Sequence, residues 1–135
     1  LGWDYAQVRP GTLRQNEGPG NVLMATVVHE QVCEVVSAFG IRGLAAEKVA
    51  EQVARELRRH LASPGALGEH LADQWLLPLA LAVHASGRPA AFSCTTLSLH
   101  ARTHLDLIAQ CLPLRVHTGR HGDEAWWVRV EPDGA

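Results

Sequence analysis

Several features that would narrow the class of this protein are missing from its 135 residues. The net charge is −2 and the sequence pI is about 6.5, so we expect no global basic surface, and any nucleic-acid contact would be local. Three cysteines without a CxxC pair argue against a disulfide framework and favour a reducing cytoplasm. No signal peptide is visible, and no apolar run is long enough to span a bilayer.

The length suits one domain or slightly more. The chain starts at Leu1 rather than Met, within what reads as structure, so we expect it to be a piece of a longer protein. Lysine is nearly absent: Lys48 is the single lysine among twelve basic residues, and the other eleven are arginines. Arginine suits bidentate contacts with phosphate, although codon bias would produce the same excess.

The first 39 residues predict strands and turns. Weak alternation over Tyr5–Leu13 predicts a strand, and the turn formers of Asn16–Asn21 predict a loop. That loop lacks the lysine and the helix cap of a phosphate-binding loop, so a structural turn is the preferred interpretation. The apolar, β-branched runs Asn21–His29 and Val32–Phe39 predict a hairpin.

The next segment, Ala45–Leu61, has the pattern of an amphipathic helix. Val49, Val53, Leu57 and Leu61 recur at intervals of four and predict a buried stripe. Charged side chains fill the opposite face, which we interpret as solvated surface. Downstream, the pattern predicts a helix over Gly68–Val83 and a strand over Arg88–Leu99. It then predicts a helix over Thr103–Leu112 and a hairpin of the strands Leu114–His117 and Ala125–Val130. The order predicts an α+β fold with helices packed on one face of a mixed or antiparallel sheet.

The Gly68–Val83 segment combines a polar start with an apolar remainder. From Trp75 onward it is almost continuously apolar, which predicts a helix buried nearly all round. Asp73 near its start should be paired or face a cleft, because burying an unpartnered carboxylate is costly. Pro78 removes one helical hydrogen bond and predicts a kink.

His100 is the residue most suited to chemistry. It falls between a predicted strand and a predicted helix, where free backbone N–H groups favour phosphate. Neutral imidazole is abundant at neutral pH and is a competent nucleophile toward phosphorus. A lone histidine at a strand end is nevertheless more often structural, so both interpretations stay open on these grounds.

Two motifs resemble signatures of the RNA 3'-terminal phosphate cyclase family. The stretch EHLADQWLLPLALA, starting at Glu69, is similar to the family's E-[HY]-L-x-D-Q-x-x-x-P-x-A-L-A pattern, and LSLHART resembles its second signature, a histidine followed three residues on by Thr. The resemblance implies a partial two-domain cyclase architecture. Residues 1–40 would close the small inserted domain, and residues 41–135 would form the C-terminal part of the catalytic α+β domain. The family's N-terminal Gly-rich element is absent from this chain.

The resemblance also implies a function, the ATP-dependent conversion of an RNA 3'-phosphate end to a 2',3'-cyclic phosphate. His100 would become covalently adenylylated and pass AMP to the RNA. Asp73 and Gln74 would lie at the nucleotide, Asp73 orienting it or His100, and His70 would stack on the adenine. Mg²⁺ or Mn²⁺ would offset the triphosphate charge. The partners would be ATP, RNA ends and a missing N-terminal portion of the same protein.

Three rival interpretations remain. His100 and His104, with Cys94, Cys111 and His70, could be arranged as a metal tetrad, although the spacing matches no known finger and His100 is expected outside the helix that holds His104. The chain could instead be a non-catalytic cyclase-like protein in ribosomal RNA processing, or an inactive truncated fragment. One position of the second motif also departs from the family pattern. His104 follows Thr103 here, whereas the family often has Asn after this Thr.

Overall fold

The computed structural model describes residues 2–12, 14 and 20–134. The chain divides into two compact units. Unit 1 comprises Leu1–Val27 with Val35–Arg59, and unit 2 comprises Val28–Glu34 with His60–Ala135. The described residues contain three α-helices and two separate sheets, which confirms the predicted α+β class. None of these helices combines the length and apolar content needed to cross a membrane.

The strand predicted over Tyr5–Leu13 is wrong where the structure describes it. Tyr5–Gln7 is a single turn of 3₁₀-helix, and residues 8–12 lie outside any strand. The Asp4 side chain accepts the Ala6 N–H at 3.0 Å, and the Gln7 side chain accepts the Asp4 N–H at 2.9 Å. These local side-chain bonds stabilise a turn in competition with extended pairing. The loop predicted at Asn16–Asn21 lies mostly outside the described residues.

Two strands and a helix build the small core of unit 1. Strands β1 (Asn21–Val28) and β2 (Cys33–Gly40) pair, which confirms the predicted hairpin, and helix α1 spans Ala46–Ala62. The buried side chains come from alternate strand positions and from one helix stripe: Ala25, Val36, Ala38, Val49, Val53 and Leu57. The periodicities of two and of about 3.6 residues therefore identify this core.

The stripe of α1 ends differently from its prediction. Leu61 is 49 % exposed, whereas its neighbour His60 is only 6 % exposed. Each step of four residues advances about 400° around a helix, so a strict four-residue stripe drifts from its original face. After Val49, Val53 and Leu57, a step of three residues returns to the buried side of the helix. The residue at that position is His60.

Unit 2 is a three-stranded antiparallel sheet with two helices on one face. Its elements are α2 (Glu69–Ser86), β3 (Ala90–Cys94), α3 (Leu99–Cys111), β4 (Leu114–His121) and β5 (Ala125–Pro132). The strand order is β3-β5-β4, and Val128 in the centre is opposite both Phe92 and Thr118. Residues of α2 and α3 form one core cluster with Cys94, Val128 and Val130. The predicted single helical layer on one sheet face is confirmed.

The prediction that α2 is buried nearly all round is wrong, because the described residues cover only one side of this helix. Its buried positions are Ala72, Leu76, Ala80 and Val83, all on one side. Trp75, Leu77 and Leu81 are 42 %, 44 % and 49 % exposed. Composition shows that the helix is apolar, but not which of its sides another element covers. The helix continues through Pro78 on its exposed side, where water can reach the carbonyl that loses its partner.

Candidate functional site

A buried carboxylate from a distant segment holds the start of α2. Glu34, only 4 % exposed, accepts the Gly68 N–H through Oε2 at 2.8 Å. Gly68 precedes the helix and has no side chain that could cap it. A β-carbon at this position would lie 2.5 Å from Glu34 Oε1, so a larger residue would displace the carboxylate. Glu34 thereby supplies the negative charge that a helix N-terminus favours.

The second helix begins four residues earlier than expected. α3 starts at Leu99 with Ser98 as its N-cap, whose hydroxyl accepts the Ala101 N–H at 3.0 Å. Thr103, the predicted first residue of this helix, instead lies inside it, where its hydroxyl donates to the Leu99 carbonyl at 3.0 Å. His100 therefore lies in the first turn of α3 and is exposed. The N–H groups of this turn have no intrahelical acceptor, which favours an anion beside them.

An acid–histidine pair connects the two helices. Asp73 Oδ1 of α2 lies 3.5 Å from His104 Nδ1 of α3, an ion-pair distance when the imidazole is protonated. The same oxygen is shielded from solvent and has no hydrogen-bond partner among the described residues, so the contact is electrostatic rather than a formed hydrogen bond. Asp73 is thus paired as predicted, and its partner is His104. The sequence analysis considered this histidine only as a ligand in the rival metal tetrad, not as the partner of Asp73.

The structure places the four predicted site residues on two helix starts. His70, Asp73 and Gln74 occupy the first two turns of α2, where His70 and Gln74 are exposed and Asp73 is half-buried. His100 and His104 are separated by four residues on α3, so they project from one side of that helix. The expectation that His100 lies outside the helix of His104 is wrong. The Asp73–His104 contact brings the polar turn of α2 next to the turn that follows His100. The functional roles of the four residues remain predictions.

Two arginines give this region positive charge. The Arg102 guanidinium stacks on the Trp126 ring with its Cζ 4.6 Å from the centroid, and the Cζ of Arg120 is 5.3 Å from the same centroid. Arg102 also donates from Nε to the Leu97 carbonyl at 3.3 Å, which fixes it beside the start of α3. Trp126, in strand β5, packs against the core of unit 2. Its role in holding two cations has no sequence signal, because the three residues come from different elements.

The predicted metal tetrad has little support. Among the residues that the structure describes, no three His, Cys, Asp or Glu side chains are grouped so that they could hold a metal ion. Cys94 is fully buried, and burial raises the pKa of its thiol to about 11. Burial therefore disfavours the thiolate form that metal coordination needs. Cys111 lies at the far end of α3 from His100.

Comparison with known proteins identifies the class of this chain. Residues 2–62 match the family model described as the RNA 3'-terminal phosphate cyclase insert domain. This range includes α1 and therefore extends past the domain boundary predicted at residue 40, which itself stays a prediction. The chain is also 49 % identical over 98 residues to an RNA 3'-terminal phosphate cyclase of Salmonella enteritidis, covering 73 % of this chain and 27 % of that protein.

A second relative covers more of the chain. The RNA 3'-terminal phosphate cyclase of Pseudomonas aeruginosa strain UCBPP-PA14 is 39 % identical over 125 residues, which is 93 % of this chain and 34 % of that protein. The chain belongs to the RNA 3'-terminal phosphate cyclase family, as the two motifs predicted. It spans about a quarter to a third of the length of these relatives.

Proposed function

We propose that this chain supplies the nucleophile-bearing part of an ATP-dependent enzyme that converts an RNA 3'-phosphate to a 2',3'-cyclic phosphate. The observation that carries the proposal is the position of His100, exposed in the first turn of α3 and one helical turn from the Asp73–His104 pair. A structural histidine would be expected to be packed or hydrogen-bonded, whereas an attacking imidazole must be accessible. Family membership supports the reaction class.

The proposed reaction has three steps. A ring nitrogen of His100 attacks the α-phosphorus of ATP, so that an N–P bond forms while the bond to the bridging oxygen breaks and pyrophosphate leaves. An oxygen of the RNA 3'-phosphate then attacks the same phosphorus. The N–P bond breaks, the imidazole is released, and AMP is now attached to the RNA 3'-phosphate. The neighbouring 2'-hydroxyl finally attacks the activated 3'-phosphorus, loses its proton and expels AMP. Each step moves negative charge on phosphate oxygens, which the N–H groups at the start of α3 would stabilise.

The neighbouring side chains have secondary roles in this proposal. Asp73 holds His104 across the gap between α2 and α3, and so fixes the turn that presents His100. His70, exposed at the start of α2, is available for stacking on adenine, and Gln74, one turn later, for hydrogen bonding to the nucleotide. Arg102 and Arg120, aligned on Trp126, offer guanidinium groups for phosphate.

Mg²⁺ or Mn²⁺ would accompany ATP. No metal-binding group of three side chains exists within residues 2–12, 14 and 20–134, so this part of the chain does not define a resident site for such an ion. Both ions prefer oxygen ligands and retain several waters, and the triphosphate can provide those oxygens itself. When present, the ion would neutralise charge on the phosphates.

The test is the intact mass of the folded chain after incubation with ATP and Mg²⁺. We expect the mass to increase by one AMP in the wild type and to stay unchanged in His100→Ala, because the attacking nitrogen is then missing. The matched control is His84→Ala, which removes another exposed histidine at the opposite end of α2 and should keep the label. Asp73→Ala should label more slowly than the wild type, since His104 loses its partner.

Two results would count against the proposal. An AMP adduct that persists in His100→Ala would assign the nucleophile to another residue. An unlabelled wild type whose circular dichroism shows a folded chain would mean that these 135 residues do not form a self-sufficient nucleotidylation site. It would leave the non-catalytic and truncated interpretations standing.

A further inference from the structure

We propose that His29 and His60 form an open binding site for a divalent transition-metal ion of the Zn²⁺ type, separate from the residues assigned to nucleotidyl transfer. His29 follows β1, at the beginning of the hairpin turn, and its N–H donates to the Val32 carbonyl at 2.8 Å. His60 lies in the last turn of α1. Both belong to unit 2, although they are 31 residues apart in the sequence.

The first argument is the distance between the two imidazoles. Their Nε2 atoms are 3.3 Å apart, and the ring centroids are separated by 5.5 Å at an interplanar angle of 64°. Two histidine nitrogens bound at about 2.0–2.1 Å to one tetrahedral Zn²⁺ are separated by roughly 3.3–3.4 Å. The pair therefore already has the spacing of two ligands at one tetrahedral centre. The alternative is a hydrogen bond between the two Nε2 atoms, which the same distance also allows.

The second argument is the burial of His60, which fixes one of the two rings. His60 is 6 % exposed, and its Nδ1 is buried without a hydrogen-bond partner among the described residues. An ion bound at Nε2 would not satisfy this Nδ1, which lies on a different edge of the ring, so the unpaired atom does not itself indicate a metal. The support comes from burial, because a buried imidazole has little freedom to move and its Nε2 is held at one position beside His29.

The third argument is access from solvent. The two histidines line a pocket of about 380 Å³, together with Glu30, Gln31 and Ser63. The remaining coordination positions of an ion between the imidazoles would therefore face a space that water can fill. No third His, Cys, Asp or Glu joins the pair among the residues that the structure describes, so water or an outside ligand would complete the coordination. Imidazole nitrogen suits zinc, cobalt, nickel and copper rather than magnesium or calcium.

The experiment titrates the chelator-treated full chain with Co²⁺, read by its visible absorption bands, and with Zn²⁺ by calorimetry. We expect one ion per chain. His29→Asn should weaken binding roughly 10- to 100-fold or more, because removing a ligand costs at least as much as removing its supporting partner. His29 is exposed, so this variant should fold normally. The matched control is His121→Asn, which removes an exposed histidine at the end of β4 and should bind like the wild type.

His60→Asn is the second variant, with its folding checked by circular dichroism because the side chain is buried. Loss of binding in a folded His60→Asn chain would support the site. Absence of stoichiometric binding to the wild type would overturn the proposal and leave a hydrogen-bonded imidazole pair. Binding that is unchanged in His29→Asn, or that is lost equally in His121→Asn, would also overturn it. AMP labelling is not used as a readout, so the outcome is independent of the proposed function.

Discussion

The cores of the two units differ in size and in how they are built. Among the residues that the structure describes, the core of unit 1 has six buried apolar residues, from one hairpin and one helix stripe. Counted in the same way, the core of unit 2 has thirteen, from two helices, three strands and the segments between them. The hairpin around the smaller core also leaves large apolar side chains in water, including Leu23, Met24 and Phe39. Because buried apolar area is the main stabilising term, we expect unit 2 to be the more stable of the two.

The largest effect should come from truncating the larger core. Leu76 is completely buried in α2, and Leu76→Ala should lower the free energy of unfolding by about 3–5 kcal/mol, since its close-packed surroundings cannot fill the cavity. The paired change, Leu57→Ala in α1, removes a side chain that is also buried. It should cost about 2–3 kcal/mol, because a smaller core relaxes more easily.

Urea unfolding with hydrogen exchange resolved by segment would measure both variants. We expect Leu57→Ala to lower protection mainly in unit 1 and Leu76→Ala mainly in unit 2. An equal loss throughout the chain after either change would show a single cooperative core and would break the comparison.

An intermediate effect is expected at the start of α2. Glu34→Ala should cost about 2 kcal/mol, because the Gly68 N–H then loses a charged acceptor in a buried place. The control is Glu30→Ala in the same turn region, where the side chain is exposed and the change should be close to neutral. Chemical denaturation of both variants tests the difference. Equal stabilities would mean that Glu34 contributes nothing as a distant cap.

The smallest effect concerns pH and the Cys94 thiol. Its pKa is raised from 9.0 to about 11, so the native state holds the proton more tightly than the unfolded chain does. This contribution is fully present below pH 9 and is lost as the pH rises toward 11, which amounts to about 1 kcal/mol by pH 10. Cys94→Ala should lose less stability between pH 8 and pH 10 than the wild type does.

Thiol reactivity gives an independent check of the same prediction. At pH 8 the exposed Cys33 and Cys111 should react with an alkylating reagent, while Cys94 reacts only on unfolding. Rapid alkylation of Cys94 in the native chain would contradict both its burial and the direction of its pKa.

The comparison also separates what local patterns predict from what they miss. The stripe Val49, Val53, Leu57 identified the helical side of the core of unit 1, because hydrophobic periodicity follows directly from backbone geometry. The two family motifs marked the segments that become α2 and the start of α3. Local patterns were less reliable at element ends, where one hydroxyl decides the boundary, as Ser98 does for α3.

The contacts that sequence reasoning missed are long-range. Glu34 reaches Gly68 across 34 positions, His29 meets His60 across 31, and Asp73 pairs with His104 on the next helix. Two of these contacts join polar side chains and the third joins a carboxylate to a backbone N–H, and the local sequence around each looks like ordinary surface. The exposed side of α2 was also missed, because its side chains are apolar and apolar side chains are usually expected in a core.

The order of strands in unit 2 has a consequence for how this sheet forms during synthesis. β5 is central, and both β3 and β4 pair with it rather than with each other. A ribosome would release β3 and β4 before the strand that joins them, so the sheet cannot be completed until β5 has emerged. Until then both strands present unpaired edges, which are prone to association with other chains. Removing Ala125–Pro132 would therefore abolish both ladders rather than trim the sheet.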